Sequence, residues 1–304
     1  MVDQRKAYLF GMMTVIMWST VATAFKVALV SLDITQLIFY ASLASACLLT
    51  SVVLWQGRGR EMWVTLRNHW RMTLIAATLN PLVYYLVLFA AYDRLPAQVA
   101  QPINYTWAIV LTTMSVVILK QRLTRRDVLA ALICYAGVVL IATRGQWDIA
   151  SIESPIGIAL ALASTLIWAS YWILNIRDPR DPLLALCLNF LCAVPMAGVI
   201  CWYFSSLWVT SGSGLAAAGY IGLFEMGLAF LCWSKALRLA ENTSRVSNLI
   251  FLSPFLSLIL IHVVLGEPIY STTYLGLIII VAGLLLQKSG AKTVGQISDD
   301  VPQN

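Results

Sequence analysis

The chain has 304 residues, of which 60% are hydrophobic and only 11% are charged, and its mean hydropathy is +0.81. These values exclude an ordinary soluble domain and indicate a protein that spans a membrane several times. The net charge of +6 does not indicate a nucleic-acid partner, because Lys and Arg lie in short segments between apolar runs and form no basic face.

Crossing about 30 Å of hydrocarbon takes about 20 mostly apolar residues in a helix. Apolar runs of about this length recur through the chain, and we predict ten spans at approximately 8–30, 34–56, 72–92, 97–119, 128–143, 156–176, 183–204, 215–237, 245–265 and 273–287. The sequence therefore predicts an all-α integral membrane protein with ten transmembrane helices.

The first run follows Arg5 and Lys6 and contains the tripeptide Ala22-Thr23-Ala24, features that a cleavable signal peptide also has. The run stays apolar on both sides of this tripeptide and has a counterpart later in the chain. We therefore expect it to remain as the first span.

Basic residues indicate how the chain is oriented. With a cytoplasmic N-terminus, seventeen of the twenty Lys and Arg residues fall on the cytoplasmic side, the bias that sets membrane topology. We expect both termini to be cytoplasmic, the protein to lie in the inner membrane, and residues 291–304 to form a disordered tail. In the loop 57–71 apolar and basic residues occupy opposite faces at helical spacing, which predicts an amphipathic helix at the inner interface. The apolar face has Trp63, Leu66 and Trp70, and the basic face has Arg60, Arg67 and Arg71.

The two halves of the chain resemble each other. The stretch 117–123 aligns with 263–269 at an offset of 146 residues, and Trp18 falls on Trp168 at an offset of 150. Each half holds five predicted spans, and because five is odd the second half begins on the opposite side of the membrane.

We therefore predict two inverted repeats, residues 1–150 and 151–290. Inverted repeats are a recurrent construction of secondary transporters, whose substrate site lies near the midplane between the repeats.

Three stretches of the chain resemble the EamA type of the drug/metabolite transporter superfamily: Trp18-Ser19-Thr20, residues 167–171, and residues 265–269 followed by Ala282-Gly283. The stretch 103–107 is also similar to that of YddG-type exporters of aromatic and other amino acids. The resemblance implies ten helices, a central cavity and efflux of amino acids or related metabolites without ATP. Two positions depart from the pattern: Ala108 stands where such exporters often have Pro, and Lys120-Gln121 stands where the second half has Gly266-Glu267.

A hairpin from Asn80 to Trp107 carries more polar side chains than hydrocarbon tolerates, unless they face a partner or a water-filled cavity. A helical rotation of 100° per residue places polar side chains on one stripe of the third span and within one sector of the fourth. Trp107 lies at the edge of that sector. Their members are Thr73, Asn80 and Tyr84 on the third span, and Gln98, Gln101, Asn104, Tyr105 and Thr112 on the fourth. We predict that the hairpin lines a substrate pathway; hydrogen bonding between neighbouring spans is the alternative.

Trp18 and Trp168 lie about ten residues from the ends of their spans, too deep for the interfacial aromatic belt. Together with Trp172 they predict a cavity wall that suits flat or cationic substrates through stacking and cation–π contacts. A position in the core or against lipid is the alternative.

Glu225 is the only carboxylate well inside a predicted span, about 15 Å from its end by helical rise. Three roles are open to it: recognition of a substrate amine, proton coupling, and a structural carboxyl bonded to a neighbouring helix. Asn248 lies in the ninth span at a position that corresponds, by the internal repeat, to the polar sector of the fourth span.

The predicted substrate-binding residues are Trp18, Asn80, Tyr84, Gln101, Asn104, Tyr105, Trp107, Trp168, Trp172, Glu225 and Asn248. The sequence contains no Ser-His-Asp arrangement, phosphate-binding loop or Cys-His cluster, so we expect neither an enzyme nor an ATP-driven pump, and no metal or cofactor.

We predict a secondary transporter that exports amino acids, aromatic and neutral ones favoured, or related small metabolites. An importer or an exporter of cationic compounds with the same fold is the alternative, and a membrane scaffold or a membrane enzyme is a more remote one. The expected partners are a small-molecule substrate and the lipid bilayer, with no nucleic acid. The oligomeric state is open, and a monomer is compatible with the sequence.

Overall fold

The computed structural model describes residues 2–118, 125–146, 154–241, 246 and 249–290, and within these ranges it contains helices and no strand. The helices are α1 Gln4–Leu29, α2 Ile34–Trp55, α3 Gly59–Arg94, α4 Ala97–Tyr105 continued by Trp107–Ile118, α5 Arg125–Ala142, α6 Pro155–Ile176, α7 Pro182–Phe204, α8 Gly212–Leu239, α9 Leu249–Leu265 and α10 Ser271–Gly290. Each predicted span falls on one of these ten helices.

Six of the described helices, α1, α2, α3, α6, α7 and α8, are long and apolar enough to cross a membrane. The helices α9 and α10 are apolar but shorter. The helix α4 is interrupted at Thr106, and α5 begins with Arg125, Arg126 and Asp127. The protein is thus a multi-pass helical membrane protein.

The short connections end in residues that cap the next helix. The carboxylate of Asp33 accepts hydrogen bonds from the backbone N–H groups of Thr35 and Gln36, at 2.8 and 3.0 Å, before α2. The carboxylate of Asp181 accepts from Leu183 and Leu184 before α7, at 3.1 and 3.2 Å. Because these caps satisfy N–H groups that have no partner inside the helix, a turn of a few residues suffices to start each new helix.

The helix α3 begins as an amphipathic segment, as the pattern of Trp and Arg predicts. The side chains of Trp63 and Trp70 are 67% and 51% exposed on its surface. The backbone leaves helical geometry at His69, with φ −127° and ψ 27°, and there the segment bends into the membrane-spanning part.

Helix packing follows a few extensive pairings. The helix α5 packs on α10 and α2 on α7, while α1 packs on α8 and α9, and α6 packs on α3 and α4. The amide of Asp3 donates to the carbonyl of Leu239 at 2.8 Å, so the start of α1 lies beside the end of α8. We call this end of the bundle the inner end, after the predicted topology, and the opposite end the outer end.

Small residues allow α5 and α10 to approach closely. A Cβ added to Gly137 would lie 2.7 Å from the carbonyl oxygen of Gly276, and one added to Gly283 would lie 2.9 Å from that of Ala130. Such close backbone approach is typical of helix pairs in membranes. Gly137, the later residue in α5, meets Gly276, the earlier residue in α10, and Ala130 meets Gly283. The two helices are therefore antiparallel.

A buried ionic cluster ties the connection between α6 and α7 to α3. The fully buried guanidinium of Arg180 binds the Asp178 carboxylate at 2.6 Å and donates to the Thr73 hydroxyl at 2.7 Å. Arg58, just before α3, reaches the Asp181 carboxylate at 3.3 Å. The sequence predicted only a topological role for these basic residues, whereas the structure uses them to hold helices together at the inner end.

Both α3 and α8 widen into π-helical turns halfway along, at Thr78–Val83 and Ile221–Leu228. Within the first of these turns Asn80 has an extended backbone, with φ −145° and ψ 120°. Such turns change the direction in which the following side chains point, and in many proteins they lie at functional sites. Here they place Tyr84, Tyr85 and Glu225 near the middle of the bundle.

Candidate substrate cavity

A cavity of about 400 Å³ lies in the middle of the bundle, between α1, α3, α4, α6, α8, α9 and α10. Nine of the eleven predicted residues line it: Trp18, Tyr84, Gln101, Asn104, Tyr105, Trp107, Trp168, Trp172 and Glu225. The structure therefore brings together side chains that lie as far apart in the chain as Trp18 and Glu225.

The other two predicted residues are not among the described residues of this lining. Asn80 is buried in the π-helical turn of α3 and does not face the cavity. The single stripe predicted for this span is split, because the turn breaks the 100° rotation per residue and leaves Thr73 with Arg180 at the inner end. Asn248 lies outside the described residues.

Trp107 lines the cavity although helix geometry placed it at the edge of the polar sector. The interruption of α4 at Thr106, whose hydroxyl donates to the carbonyl of Ile103 at 2.7 Å, changes the direction of the chain just before Trp107. The ring of Trp107 stacks on Trp172, with centroids 6.2 Å apart and planes 15° apart.

Trp168 is the centre of one aromatic wall. Its ring stacks on Tyr84 at 4.5 Å, and it meets Trp172 and Trp107 edge to face at 6.0 and 6.5 Å. Each such ring pair contributes about 0.5–1.5 kcal/mol beyond the burial of area. The wall is therefore held in place by its own contacts before any ligand enters.

A second wall faces it from α1 and α8. The ring of Trp18 lies 5.8 Å from Phe230 and 5.7 Å from Trp233, and Phe230 reaches Trp168 at 6.1 Å. Trp233 also lines the cavity, and reasoning from the sequence missed it. Its position about two helical turns after Glu225 was a usable signal.

Polar groups are few and specifically placed. The side-chain amide of Asn104 donates to the Ser164 hydroxyl at 2.9 Å, and its oxygen accepts from the Tyr84 hydroxyl at 3.4 Å. The buried amide oxygen of Gln101 and the indole N–H of Trp172 have no hydrogen-bond partner among the described residues. Because buried polar groups normally find partners, these atoms indicate that a ligand or water completes the site.

Glu225 lies between the two walls. Its Oε1 accepts a hydrogen bond from the Tyr85 hydroxyl at 3.2 Å, whereas its Oε2 is buried without a described partner. Tyr85, which is 1% exposed, was not predicted, because a uniform rotation of 100° per residue places Tyr84, and not Tyr85, on the polar stripe of this span. Among the described residues, no Lys, Arg or His lines the cavity.

Gln98 belonged to the predicted polar sector but takes a structural position at the outer end. Its amide N–H donates to the carbonyl of Pro268 at 2.8 Å, and its oxygen accepts from Tyr270 and Thr273, both at 3.1 Å. The carboxylate of Glu267 accepts from the backbone of Ala97 at 3.1 Å. For Gln98 the alternative interpretation, hydrogen bonding between neighbouring spans, therefore applies.

Buried aromatic rings pack together on the outer side of the cavity. Phe25 contacts Phe89, Tyr92 and Tyr85, with centroids 4.8, 5.2 and 6.4 Å apart. Next to this cluster, the ammonium of Lys26 donates to the carbonyl of Tyr92 at 2.9 Å. Towards the inner end the lining continues through Leu111, Leu237 and Leu284, beside the stacked pair of Trp107 and Trp172.

Helices that surround a cavity with both aromatic walls and polar groups define a multi-pass membrane protein with room for a small molecule inside the bundle. The model of the EamA-like transporter family matches residues 5–143 and 155–287. The chain belongs to this family, and it is a membrane transporter.

Individual relatives agree with this assignment. An uncharacterized transporter of Archaeoglobus fulgidus is 25% identical over 287 residues, which cover 92% of this chain and 96% of the relative. The uncharacterized inner membrane transporter YhbE of Escherichia coli K12 is 23% identical over 301 residues, 94% of this chain and 92% of YhbE. A solved crystal structure, 21% identical, superposes with a TM-score of 0.66 over 95% of this chain and 100% of the other. This likeness extends the shared fold to nearly the whole chain.

Proposed function

We propose that the protein is a secondary transporter that moves small organic molecules with a protonated amine, amino acids among them, out of the cell by alternating access. The observation that carries this proposal is the cavity between helices of both halves, with one carboxylate, Glu225, between two aromatic walls. An ammonium group at Glu225 would find a charged partner, and an apolar side group would stack on the Trp rings. The other lining residues with predicted roles would position the same ligand.

Pairwise contacts between rings support two inverted halves, residues 1–150 and 151–290. At the offsets of 150 and 146 residues, Trp18 corresponds to Trp168, and Tyr84 corresponds to Phe230. The contact between Trp168 and Tyr84 is thus matched by the contact between Trp18 and Phe230. Exchanging the halves maps one contact onto the other, as a twofold axis would.

The crossing of α5 and α10 supports the same relation. At the offset of 146, Gly137 corresponds to Gly283, and Ala130 corresponds to Gly276. The approach of Gly137 to Gly276 is therefore equivalent to the approach of Gly283 to Ala130. Two halves related in this way can rock about the cavity, which is how many transporters with inverted repeats alternate.

The ring cluster on the outer side of the cavity supports loading from the inner side. Phe25, Tyr85, Phe89 and Tyr92 pack together there, while leucines and the pair of Trp107 and Trp172 line the inner side. We place the inner end in the cytoplasm, because the basic residues favour that topology, and we place both termini there. The name of YhbE, an inner membrane transporter, supports the inner membrane as the location.

Counterflow in proteoliposomes tests the proposal. Liposomes that contain the purified protein and an excess of unlabelled phenylalanine or tryptophan, with no ATP, are expected to accumulate the labelled compound transiently. Liposomes without the protein serve as the control. If no amino acid and no amine exchanges above this control, the transport proposal is wrong.

A further inference from the structure

We infer that the cavity prefers aromatic amines that lack a carboxylate over the corresponding amino acids. This inference rests on the proposed transport function and names the substrate class within it. Three observations support it: the charge of the cavity, its uncompensated hydrogen-bonding atoms and its aromatic walls.

The charge of the lining has one sign. Glu225 is the only carboxylate among the described lining residues, and none of them carries a positive charge. The nearby lysines have other partners: Lys26 donates to the carbonyls of Tyr92 and Leu95, and Lys235 lies 4.5 Å from the ring centre of Phe10. A monocation would pair with the carboxylate, whereas an amino acid would bring a second carboxylate that finds no described cation. Leaving a charge unpaired in an apolar site is costly.

Unpartnered atoms in the lining also favour a donor-rich ligand. Glu225 Oε2 and the amide oxygen of Gln101, a residue only 4% exposed, are acceptors without a described partner. Among the lining atoms that are fully buried without a described partner, the indole N–H of Trp172 is the single donor. An ammonium group has three N–H donors and no acceptor, so it can donate to both buried acceptors, whereas a carboxylate, which only accepts, cannot.

The aromatic walls add attraction for a cation and a flat group together. Trp18, Trp107, Trp168, Trp172 and Trp233 all line the cavity. The face of a Trp ring is the best aromatic partner for a cation, and the contact is strengthened where water is excluded. A ligand with an ammonium group and an aromatic ring separated by a short chain would use both Glu225 and the rings.

Matched ligands test the inference by binding. Phenethylamine, phenylalanine and 3-phenylpropionate share a phenyl ring and differ in the amine and the carboxylate, and each can be titrated against protein Trp fluorescence in nanodiscs. We expect phenethylamine to bind about tenfold or more tightly than phenylalanine, the size of a charge-assisted interaction, and 3-phenylpropionate to bind most weakly. Equal or tighter binding of phenylalanine, or no binding of phenethylamine, would overturn the inference.

A pair of variants assigns the effect to the cavity. Glu225→Gln is expected to weaken phenethylamine binding about tenfold while 3-phenylpropionate binds no more weakly, because the carboxylate is removed and the shape is kept. Glu241→Gln removes an exposed carboxylate near the end of α8 and is expected to leave binding unchanged. Unchanged phenethylamine binding in Glu225→Gln that is folded, as shown by an unaltered elution profile, would contradict the inference.

Transport is measured separately from binding, so that the two proposals can fail independently. Counterflow of phenylalanine that is as efficient as that of phenethylamine would leave the transport function standing and reject the preference. Selective binding without exchange of either compound would reject transport and leave the preference of the cavity for amines standing.

Discussion

Glu225 lines the cavity, and the buried Tyr85, which lies outside the described lining, bonds to it. A carboxylate in the middle of a membrane-spanning helix is costly unless it has a partner. The Tyr85 hydroxyl supplies one hydrogen bond, to Oε1, and leaves Oε2 for a ligand. Tyr85 therefore positions the carboxylate, while the substrate would contact its other oxygen.

Replacing Tyr85 by Phe removes this hydrogen bond and keeps the ring. We expect the KM for amine substrates in proteoliposomes to rise about 2- to 10-fold, because one hydrogen bond contributes about 0.5–1.5 kcal/mol. Tyr274→Phe, at an exposed residue of α10, is the matched control and should leave the KM unchanged. An unaltered KM in Tyr85→Phe would show that Tyr85 does not position Glu225.

The crossing of α5 and α10 shows how helices in a membrane use small residues. Close packing replaces the hydrophobic effect as the source of attraction, because the lipid is as apolar as the helix surface. Gly137, Gly276 and Gly283 let the two backbones touch, and the Cys134 thiol donates to the carbonyl of Ile280 at 3.3 Å. At this crossing a single methyl group has no room.

The same substitution at two glycines should therefore have opposite effects. Gly137→Ala would place a methyl group 2.7 Å from the Gly276 carbonyl oxygen, and we expect it to lower stability by about 1–3 kcal/mol through forced separation of the helices. Gly219→Ala in α8 meets no atom within 4 Å and is expected to keep or slightly raise stability, since Ala favours a helix by up to about 1 kcal/mol. Thermal unfolding in one detergent measures both, and equal midpoints would contradict the packing argument.

In the whole molecule, polar contacts join the helices at both ends. At the outer end Gln98 and Glu267 join the start of α4 to the connection between α9 and α10. At the inner end Arg180 and Arg58 join the connection between α6 and α7 to α3. For alternating access, contacts at the two ends would have to weaken in turn. The ring cluster around Phe25 would have to separate when the cavity opens to the outer side.

Labelling of single cysteines tests the proposed orientation. In a variant whose six native cysteines are replaced, Trp208→Cys in the connection between α7 and α8 should react with a membrane-impermeant thiol reagent added to intact cells. Glu241→Cys at the end of α8 should react only after the cells are opened. The reverse pattern would invert the topology and with it the proposed direction of loading.

Much of the architecture could be predicted from the order of residues. Each of the ten predicted spans coincides with a helix, and the amphipathic segment with Trp63 and Trp70 precedes the third span. Hydrocarbon offers no partner for backbone groups, so an apolar run long enough to cross it must be a helix. Short connections with capping residues such as Asp33 and Asp181 mark where the next helix starts.

The candidate site could be predicted only in part. Polar and aromatic residues inside apolar runs, such as Asn104, Trp168 and Glu225, are conspicuous in the sequence, and the structure places them around one cavity. Asn80 does not reach it, and Tyr85 and Trp233 were overlooked. A helical wheel assumes a uniform rotation per residue, and the turns at Thr78–Val83 and Ile221–Leu228 break that rotation.

That the chain crosses the membrane repeatedly as helices follows from the order of its residues alone, which also marks the side chains that hydrocarbon would not accommodate. Hydropathy along a chain is a local property, so it can be read without knowing which helices meet. The contact of Tyr85 with Glu225, the inward position of Trp107 and the structural contact of Gln98 became evident only from the folded arrangement. Those outcomes depend on the register after each irregular turn and on the packing of distant helices against one another.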